Sequence, residues 1–390
     1  MNQPGASLGL LGGGQLGRMF TQAALRMGYE VVVLDPDGAS PAGRIATRHI
    51  CADYTDVAAL TELGTSSAAV TTEFENVPAA SLTFLRQFGP VRPGPEAVAV
   101  TQDRVAEKQF AQSLGLETAP FHAILSPPDC AAAFAVIGAP AILKTSRLGY
   151  DGKGQTAVST LVTLEQAFAT MGSQPCVLER RVALAREVSV VLARGAEGTI
   201  ATFPVAENQH VDGILFTTVV PARISPALAD QARHAAATLA RAMDYVGTMA
   251  VEFFVVEGDR LLVNEMAPRP HNSGHFTLDG CATDQFEQQV RAVAGLPLGD
   301  TSLLSPIAMV NLLGDLWSHG TPDWAAALAD PQVHLHLYGK TTPRPGRKMG
   351  HLNVLAANAD DALARALSAF QQLDSSAGSH PSTHRGLSCS

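Results

Sequence analysis

Two glutamates, Glu252 and Glu265, stand inside apolar runs where an unpaired carboxylate would be costly. Residues 249–266 form two β-branched, apolar runs joined at Gly258-Asp259. A Gly-X pair between such runs signals a two-residue hairpin loop. With Gly258 and Asp259 as that loop, Glu257 faces Arg260, and the same register carried outward sets Glu252 opposite Glu265. Opposed residues of an antiparallel pair point to one face, with Cβ atoms about 4.5–5.5 Å apart. The two carboxylates then lie side by side among Phe253, Phe254, Val255, Leu262 and Val263. Like charges this close repel unless one is protonated or a cation sits between them. One or two carboxylates completed by substrate phosphates is a common Mg²⁺ site. A register slip would put one glutamate in solvent instead, so the metal reading depends on the hairpin fixing register.

Other stretches carry phosphate chemistry. Residues 140–144 read as a buried strand ending in Lys144, followed by Thr145-Ser-Arg-Leu-Gly-Tyr-Asp-Gly-Lys-Gly-Gln155. Gly149, Gly152 and Gly154 with Lys153 describe a mobile loop able to close over polyphosphate, although an ordinary hairpin turn has the same composition. It is not a Walker A loop, because G-x-x-x-x-G-K-[ST] is absent. Near the N-terminus, a short strand enters Gly12-Gly-Gly-Gln-Leu-Gly17, and Asp35 follows Gly14 by 21 residues. That is the spacing of a dinucleotide site, so an NAD-dependent dehydrogenase is a serious reading of the first hundred residues. Glu73 and Glu75 stand at the end of a third strand, where open α/β sheets bind ligands. Glu75 and Asn76 could equally cap the helix that follows Pro78. The loop after Glu265 carries Arg269, His271, Asn272 and His275, polar donors suited to a small anion. Lys340, Arg344, Arg347 and Lys348 fall within nine residues stiffened by Pro343 and Pro345.

The elements that must position these residues follow from periodicity. Strand and helix signals alternate up to about residue 100, which describes a Rossmann-like domain. Residues 101–114 read as one helix with Arg104 and Lys108 on one face, and residues 227–243 as an amphipathic helix. Strands are expected at 176–179 and, opened by Glu187, at 187–192. From residue 301, short strands alternate with Pro-rich turns, a helix closes the fold at 359–373, and a Ser-, Gly- and His-rich tail runs from 375 to 390. At 390 residues the chain is too long for a single core. Its 46% hydrophobic and 16% charged composition is globular. A net charge of −9 argues against a nucleic-acid surface. Five scattered cysteines without CxxC spacing fit a reduced, cytoplasmic setting. No apolar run approaches the roughly 20 residues of a membrane span, and residues 1–5 carry no signal-peptide pattern.

The motifs together resemble the ATP-grasp superfamily. Within it, Gly12-Gly-Gly-Gln-Leu-Gly17, Glu73-Phe-Glu-Asn-Val-Pro78, Gly149-Tyr-Asp-Gly-Lys-Gly-Gln155, Asn264-Glu-Met-Ala-Pro-Arg-Pro-His-Asn-Ser-Gly-His275 and Arg344-Pro-Gly-Arg-Lys-Met-Gly-His351 are similar to the 5-(carboxyamino)imidazole ribonucleotide synthase family of purine biosynthesis. The resemblance spans residues 7 to about 356 and departs at Thr341-Thr342, where many members carry an acidic residue. It implies an α/β and α+β multidomain fold: a Rossmann-like pre-ATP-grasp domain over 1–102, an ATP-grasp domain over 103–300, a small β-rich C-terminal domain over 301–374, then a poorly ordered tail. It implies ATP and Mg²⁺ (one ion or two), the substrates aminoimidazole ribonucleotide and bicarbonate, and a homodimer. For ATP it implies Arg104, Lys144, Gly149, Tyr150, Asp151, Gly152, Lys153, Gly154, Gln155, Glu179, Arg180, Arg181, Val182, Glu187, His210, Asn264 and Glu265. For the metal it implies Glu252 and Glu265, and for the ribonucleotide Gly13, Gly14, Gln15, Leu16, Glu73, Tyr150, Lys340 and Arg347. Arg269, His271, Asn272 and Lys340 would handle the bicarbonate-derived group. Strict alternation sends Asn264 to the face opposite Glu265, so a bulge or strand end is required there. The competing readings are a formate-dependent glycinamide ribonucleotide transformylase, the dehydrogenase, and a non-catalytic nucleotide sensor.

Overall fold

The computed structural model describes residues 1–149 and 152–373. Tyr150, Asp151 and the tail from 375 to 390 therefore lie outside the described residues.

The first domain is a parallel sheet of β1 (Ser7–Leu11), β2 (Glu30–Leu34), β3 (Arg48–Ile50) and β4 (Ala69–Thr72), ordered β3-β2-β1-β4. Alternation along β2 explains why both faces are covered. Val31 and Val33 meet Leu16, Met19 and Phe20 of helix α1 (Gln15–Arg26). Val32 and Leu34 meet Leu60 and Leu63 of α2 (Val57–Ser66). Helices α3 (Ala79–Leu85) and α4 (Pro95–Thr101) complete that second side through Leu82, Leu85 and Val98. On the first side, Phe286 and Val290 from the later helix Gln285–Ala294 join the same core, so the N-terminal domain is welded to the central one.

The helix expected over 101–114 is α5 (Arg104–Ser113), which begins three residues later than expected and is separate from α4. They part at Asp103, whose backbone is extended and whose Oδ1 accepts from the N–H groups of Val105 and Ala106 at 3.0 and 3.2 Å. A local Asp–backbone bond competing with helix continuation is the physical reason.

A four-stranded antiparallel sheet comes next: β5 (Phe121–Ile124), β6 (Ala141–Thr145), β7 (Gln155–Val158) and β8 (Cys176–Arg180), ordered β5-β8-β6-β7. Its apolar face packs on helices Asp129–Ile137 and Leu161–Thr170. The largest sheet holds β9 (Leu184–Arg194), β10 (Ile200–Thr202), β11 (Ala206–Val211), β12 (Ile214–Val220), β13 (Gly247–Val256), β14 (Arg260–Ala267), β15 (Ile307–Leu313), β16 (Val333–Leu337) and β17 (Lys348–Leu355). Its order is β14-β13-β9-β11-β12-β15-β17-β16, with β10 on β9. Helix Pro226–Ala242 buries Ala232, Ala236, Leu239 and Ala240 against Val190, Leu192, Val251 and Phe253. The C-terminal strands do not make a sheet of their own: β15 pairs with β12, so they extend the central one.

Candidate active site

The carboxylate pair forms by a different route from the one its hairpin suggests. Val256 pairs with Arg260, so the loop is Glu257-Gly258-Asp259, three residues and not two. Gly258 and Asp259 take φ of 77° and 55° there. That register alone would set Glu252 opposite Asn264. A bulge between Phe253 and Glu252 leaves Asn264 unpaired, and Glu252 meets Glu265 after all. Burial raises the Glu252 carboxyl above its usual range despite nearby His210, and Glu265 adds to the rise. Asn264 Oδ1 is buried and accepts no hydrogen bond. Two carboxylates and a donor-less amide oxygen suit a hard cation, which would relieve both the repulsion and the orphaned oxygen. Among the described residues no group of three His, Cys, Asp or Glu is arranged to hold a metal, so such an ion would draw further oxygens from substrate.

Arg104, the first residue of α5, reaches Glu265 at 3.1 Å and the carbonyl of Gly149 at 3.3 Å. It thereby ties the metal candidate to the Gly-rich loop. Lys144, at the end of β6, bonds Glu179 at 2.9 Å, and buried Lys108 approaches the other Glu179 oxygen at 3.3 Å. Burial disfavours the Glu179 charge, yet Lys144 and then Lys108 outweigh it and hold the carboxyl down at about 2. One carboxylate between two ammonium groups leaves positive charge in excess, a setting for an anion. Burial lowers the Lys144 ammonium in turn. The Glu179 side chain is thus engaged with the two lysines.

The Gly-rich loop joins β6 to β7 as a hairpin, Thr145 N donating to Gly154 O at 2.8 Å. It leans on the β11–β12 turn: a Cβ at Gly152, whose φ is 75°, would come within 3.1 Å of Asp212 O. This loop is expected to resist proteolysis with ATP and Mg²⁺ and to be nicked readily without them. Equal nicking of residues 145–155 in both states would count against it. Further along, Glu187 on β9 pairs with His210 on β11. Arg180, Arg181 and Val182 line a cleft of about 950 Å³ with Thr118 and Leu262, where the smaller antiparallel sheet leaves for the large one.

On the opposite side lies the Gly-rich turn of the first domain. Gly13 N donates to Asp35 Oδ2 at 2.6 Å, and Gly14 N and Gly17 N donate to Glu73 at 2.5 and 2.7 Å. A Cβ at Gly14 would sit 2.6 Å from Glu73 Oε1, so glycine is needed for the carboxylate to approach. Asp35 also accepts from Tyr54 Oη at 2.7 Å and Asp37 N at 2.8 Å. The carboxylate that a dehydrogenase would offer to ribose is engaged internally, which removes the support for that reading. Lys340 reaches this turn, donating to Gln15 Oε1 at 2.6 Å. Arg347 donates to Thr342 O at 2.7 Å within its own loop.

The loop after β14 supplies the remaining groups. Arg269 is buried and paired with Glu75, so Glu75 is an ion-pair partner and caps no helix; α3 begins after Pro78 without a side-chain cap. Burial opposes the Arg269 charge, but Glu75 and neighbouring Glu73 and Glu265 hold it. His271 Nε2 lies 3.7 Å from Glu252, and burial together with Arg269 and Lys348 keeps the ring neutral. Asn272, expected to receive bicarbonate, has its amide in a reciprocal pair with Asn311, both bonds 3.0 Å. His275 is buried against Gln285, 3.0 Å from Nδ1 to Nε2. Three residues were given no site role by the sequence. Glu107 and Lys108 sit behind β14 with no motif to mark them. Lys348 faces Glu75, Glu252, His210 and His271 electrostatically, and only its place in the basic nonapeptide hinted at it.

Opposed carboxylates on the large antiparallel sheet, tied through Arg104 to the glycine loop of the smaller antiparallel sheet, are the arrangement of an ATP-grasp enzyme. Residues 109–286 match the ATP-grasp domain, 6–102 the ribonucleotide synthetase preATP-grasp domain, and 307–365 the phosphoribosylaminoimidazole carboxylase C-terminal domain. The N5-carboxyaminoimidazole ribonucleotide synthase of Brucella melitensis is 47% identical over 352 residues, 90% of this chain and 96% of its own. The Staphylococcus aureus N5-carboxyaminoimidazole synthetase complexed with ADP superimposes with a TM-score of 0.88 at 38% identity, covering 94% of this chain and 98% of its own. The Aspergillus clavatus N5-carboxyaminoimidazole synthase in complex with ADP and 5-aminoimidazole ribonucleotide gives 0.86 at 28% identity, covering 95% and 99%. The chain belongs to the N5-carboxyaminoimidazole ribonucleotide synthase family.

Proposed function

We propose that this protein uses ATP to carboxylate 5-aminoimidazole ribonucleotide with bicarbonate, giving N5-carboxyaminoimidazole ribonucleotide, ADP and phosphate in purine biosynthesis. The observation that carries the reading is the place of the Glu252–Glu265 pair, between the Lys144 and glycine-loop side and the side of Arg269, Glu73 and the Gln15 turn. A bicarbonate oxygen attacks the γ-phosphorus, the bond to the β-phosphate oxygen breaks, and ADP leaves. The exocyclic amine then attacks the carbonyl carbon of carboxyphosphate, the carbon–oxygen bond breaks, and phosphate and a proton depart. Catalysis of such steps is mostly positioning and charge neutralisation. Lys144 and Arg104 face the phosphates, and Glu187 with His210 the nucleotide ribose. Arg269 and neutral His271 border the carboxyl-transfer side, and Lys340 with the N–H groups of Gln15 and Leu16 meets the substrate phosphate. Glu252, Asn264 and Glu265 would hold Mg²⁺, which supplies charge neutralisation to the β- and γ-phosphates. The glycine loop shields a water-labile intermediate. We place the enzyme in the cytoplasm as a homodimer; no described helix is long and apolar enough to cross a membrane.

The test is ADP release with ATP, Mg²⁺ and aminoimidazole ribonucleotide. Release should require bicarbonate and fail with formate. Formate-driven turnover of glycinamide ribonucleotide, or NAD reduction without ADP, would overturn the reading. A second expectation concerns the basic loop. Arg347→Ala should raise the KM for aminoimidazole ribonucleotide ten- to a hundredfold, as losing a charged hydrogen bond costs about 1.5–3 kcal/mol. The KM for ATP should hardly move. Arg347→Lys should recover part of the loss, since lysine cannot grip two phosphate oxygens in parallel. Unchanged ribonucleotide dependence would make the cluster a solvated turn.

A further inference from the structure

β14 is an edge strand of the large sheet, and its bulge removes a pairing just before Glu265. An edge strand with a broken ladder has no intrinsic reason to hold one carboxylate in place. Helix α5 supplies what the ladder lacks, residue by residue. Lys108 Nζ donates to Asn264 O at 3.3 Å, the carbonyl of the bulged residue itself. Arg104 bonds the Glu265 carboxylate at 3.1 Å. Glu107 accepts from Met266 N, on the other flank of Glu265. Lower down, Val263 N donates to Glu117 O at 2.8 Å in the segment that leaves α5. Three consecutive residues of the strand are thus held by one helical turn and the residue after it. Glu107 and Lys108 are each only 2% exposed, a costly place for two polar, ionisable side chains that merely fill space.

We infer that Glu107 and Lys108 are positioning residues that fix the bulged main chain of β14 on both sides of Glu265, and so set the affinity of the site for its divalent cation. The inference rests on the reading of Glu265 as a metal ligand. Lys108 has a second task in the same geometry: it also approaches Glu179, the partner of Lys144, so one side chain links the metal strand to the phosphate lysine. Substituting Glu107 should therefore act on metal, substituting Lys108 on metal and nucleotide, and both should leave the ribonucleotide turn alone.

The experiment titrates Mn²⁺ into the ADP-loaded protein and follows free Mn²⁺ by electron paramagnetic resonance, beside steady-state kinetics over a range of Mg²⁺. Glu107→Leu should weaken Mn²⁺ binding tenfold or more and raise the Mg²⁺ needed for half-maximal rate by the same factor, with the KM for aminoimidazole ribonucleotide within twofold. Glu107→Gln retains an acceptor for Met266 N and should recover most of the binding. Lys108→Met keeps the buried aliphatic stem and should weaken Mn²⁺ in the same way; it carries the test where Glu107→Leu fails to fold. Folded Glu107→Leu and Lys108→Met proteins that bind Mn²⁺ like the parent, even with a lower melting temperature, would overturn the inference. Glu265→Gln separates the two layers: unaltered Mn²⁺ binding there would remove the metal reading itself.

Discussion

Glu265→Gln is expected to lower kcat by on the order of a thousandfold while leaving the fold intact, because a bound cation's charge stabilisation is worth several kcal/mol in the transition state. The substitution keeps the shape of the side chain and its place opposite Glu252 but removes one of the two charges facing the cation. It also removes the anionic partner of Arg104, whose charge Glu265 supports more than any other group does. Freed from Glu265, Arg104 retains Gly149 O and can swing toward the glycine loop, so some ATP binding should persist. The check is kcat measured up to high Mg²⁺, with circular dichroism to confirm folding. Parent-like turnover at ordinary Mg²⁺ would reduce the hairpin to a structural role.

The second large effect falls on stability. Glu179 is 3% exposed and its carboxyl is depressed to about 2 by Lys144 and Lys108 acting against burial. A depressed carboxyl contributes stability that is complete above its unfolded pKa, near 4.5, and is lost as pH falls through about 2. A depression of this size corresponds to about 3 kcal/mol at neutral pH. Glu179→Gln removes that contribution and leaves two ammonium groups buried together, so the loss should reach about 3–5 kcal/mol. One lysine must then turn toward water. Calorimetry should show the variant unfolding several degrees below the parent at pH 7, with a smaller gap at pH 3. An equal gap at both pH values would show that the triad is not what stabilises this region. Lys144→Met should cost less stability than Glu179→Gln, because Lys108 still pairs with Glu179, while turnover falls.

Elements and motifs were legible in the sequence because their signals are local. Short apolar runs marked β1, β2 and β15, and the period of 3.6 marked helix Pro226–Ala242. Even the C-terminal strands were recognisable, though not that β15 would pair with β12 and make one sheet of two domains. Local rules failed where one residue competes with its neighbours: Asp103 capped α5 and delayed its start by three residues, and the Gly258 turn took a third residue.

The sequence by itself determined that two carboxylates would share one face of a hairpin, that a lysine would end a strand beside a glycine loop, and that a glycine turn would open the chain. Only the tertiary structure decided what those features mean. Glu252 faces Glu265 because a bulge corrects a loop one residue too long, and helix α5 holds the bulged strand from behind. The glycine turn is no dinucleotide cradle because Asp35 and Glu73 take three of its N–H groups. Arg269 belongs to Glu75, and Asn272 to Asn311. The physical reason is one of range. Periodicity, capping and turn chemistry act over a few residues, whereas a buried charge takes whichever partner packing brings within about 4 Å, however far along the chain that partner lies.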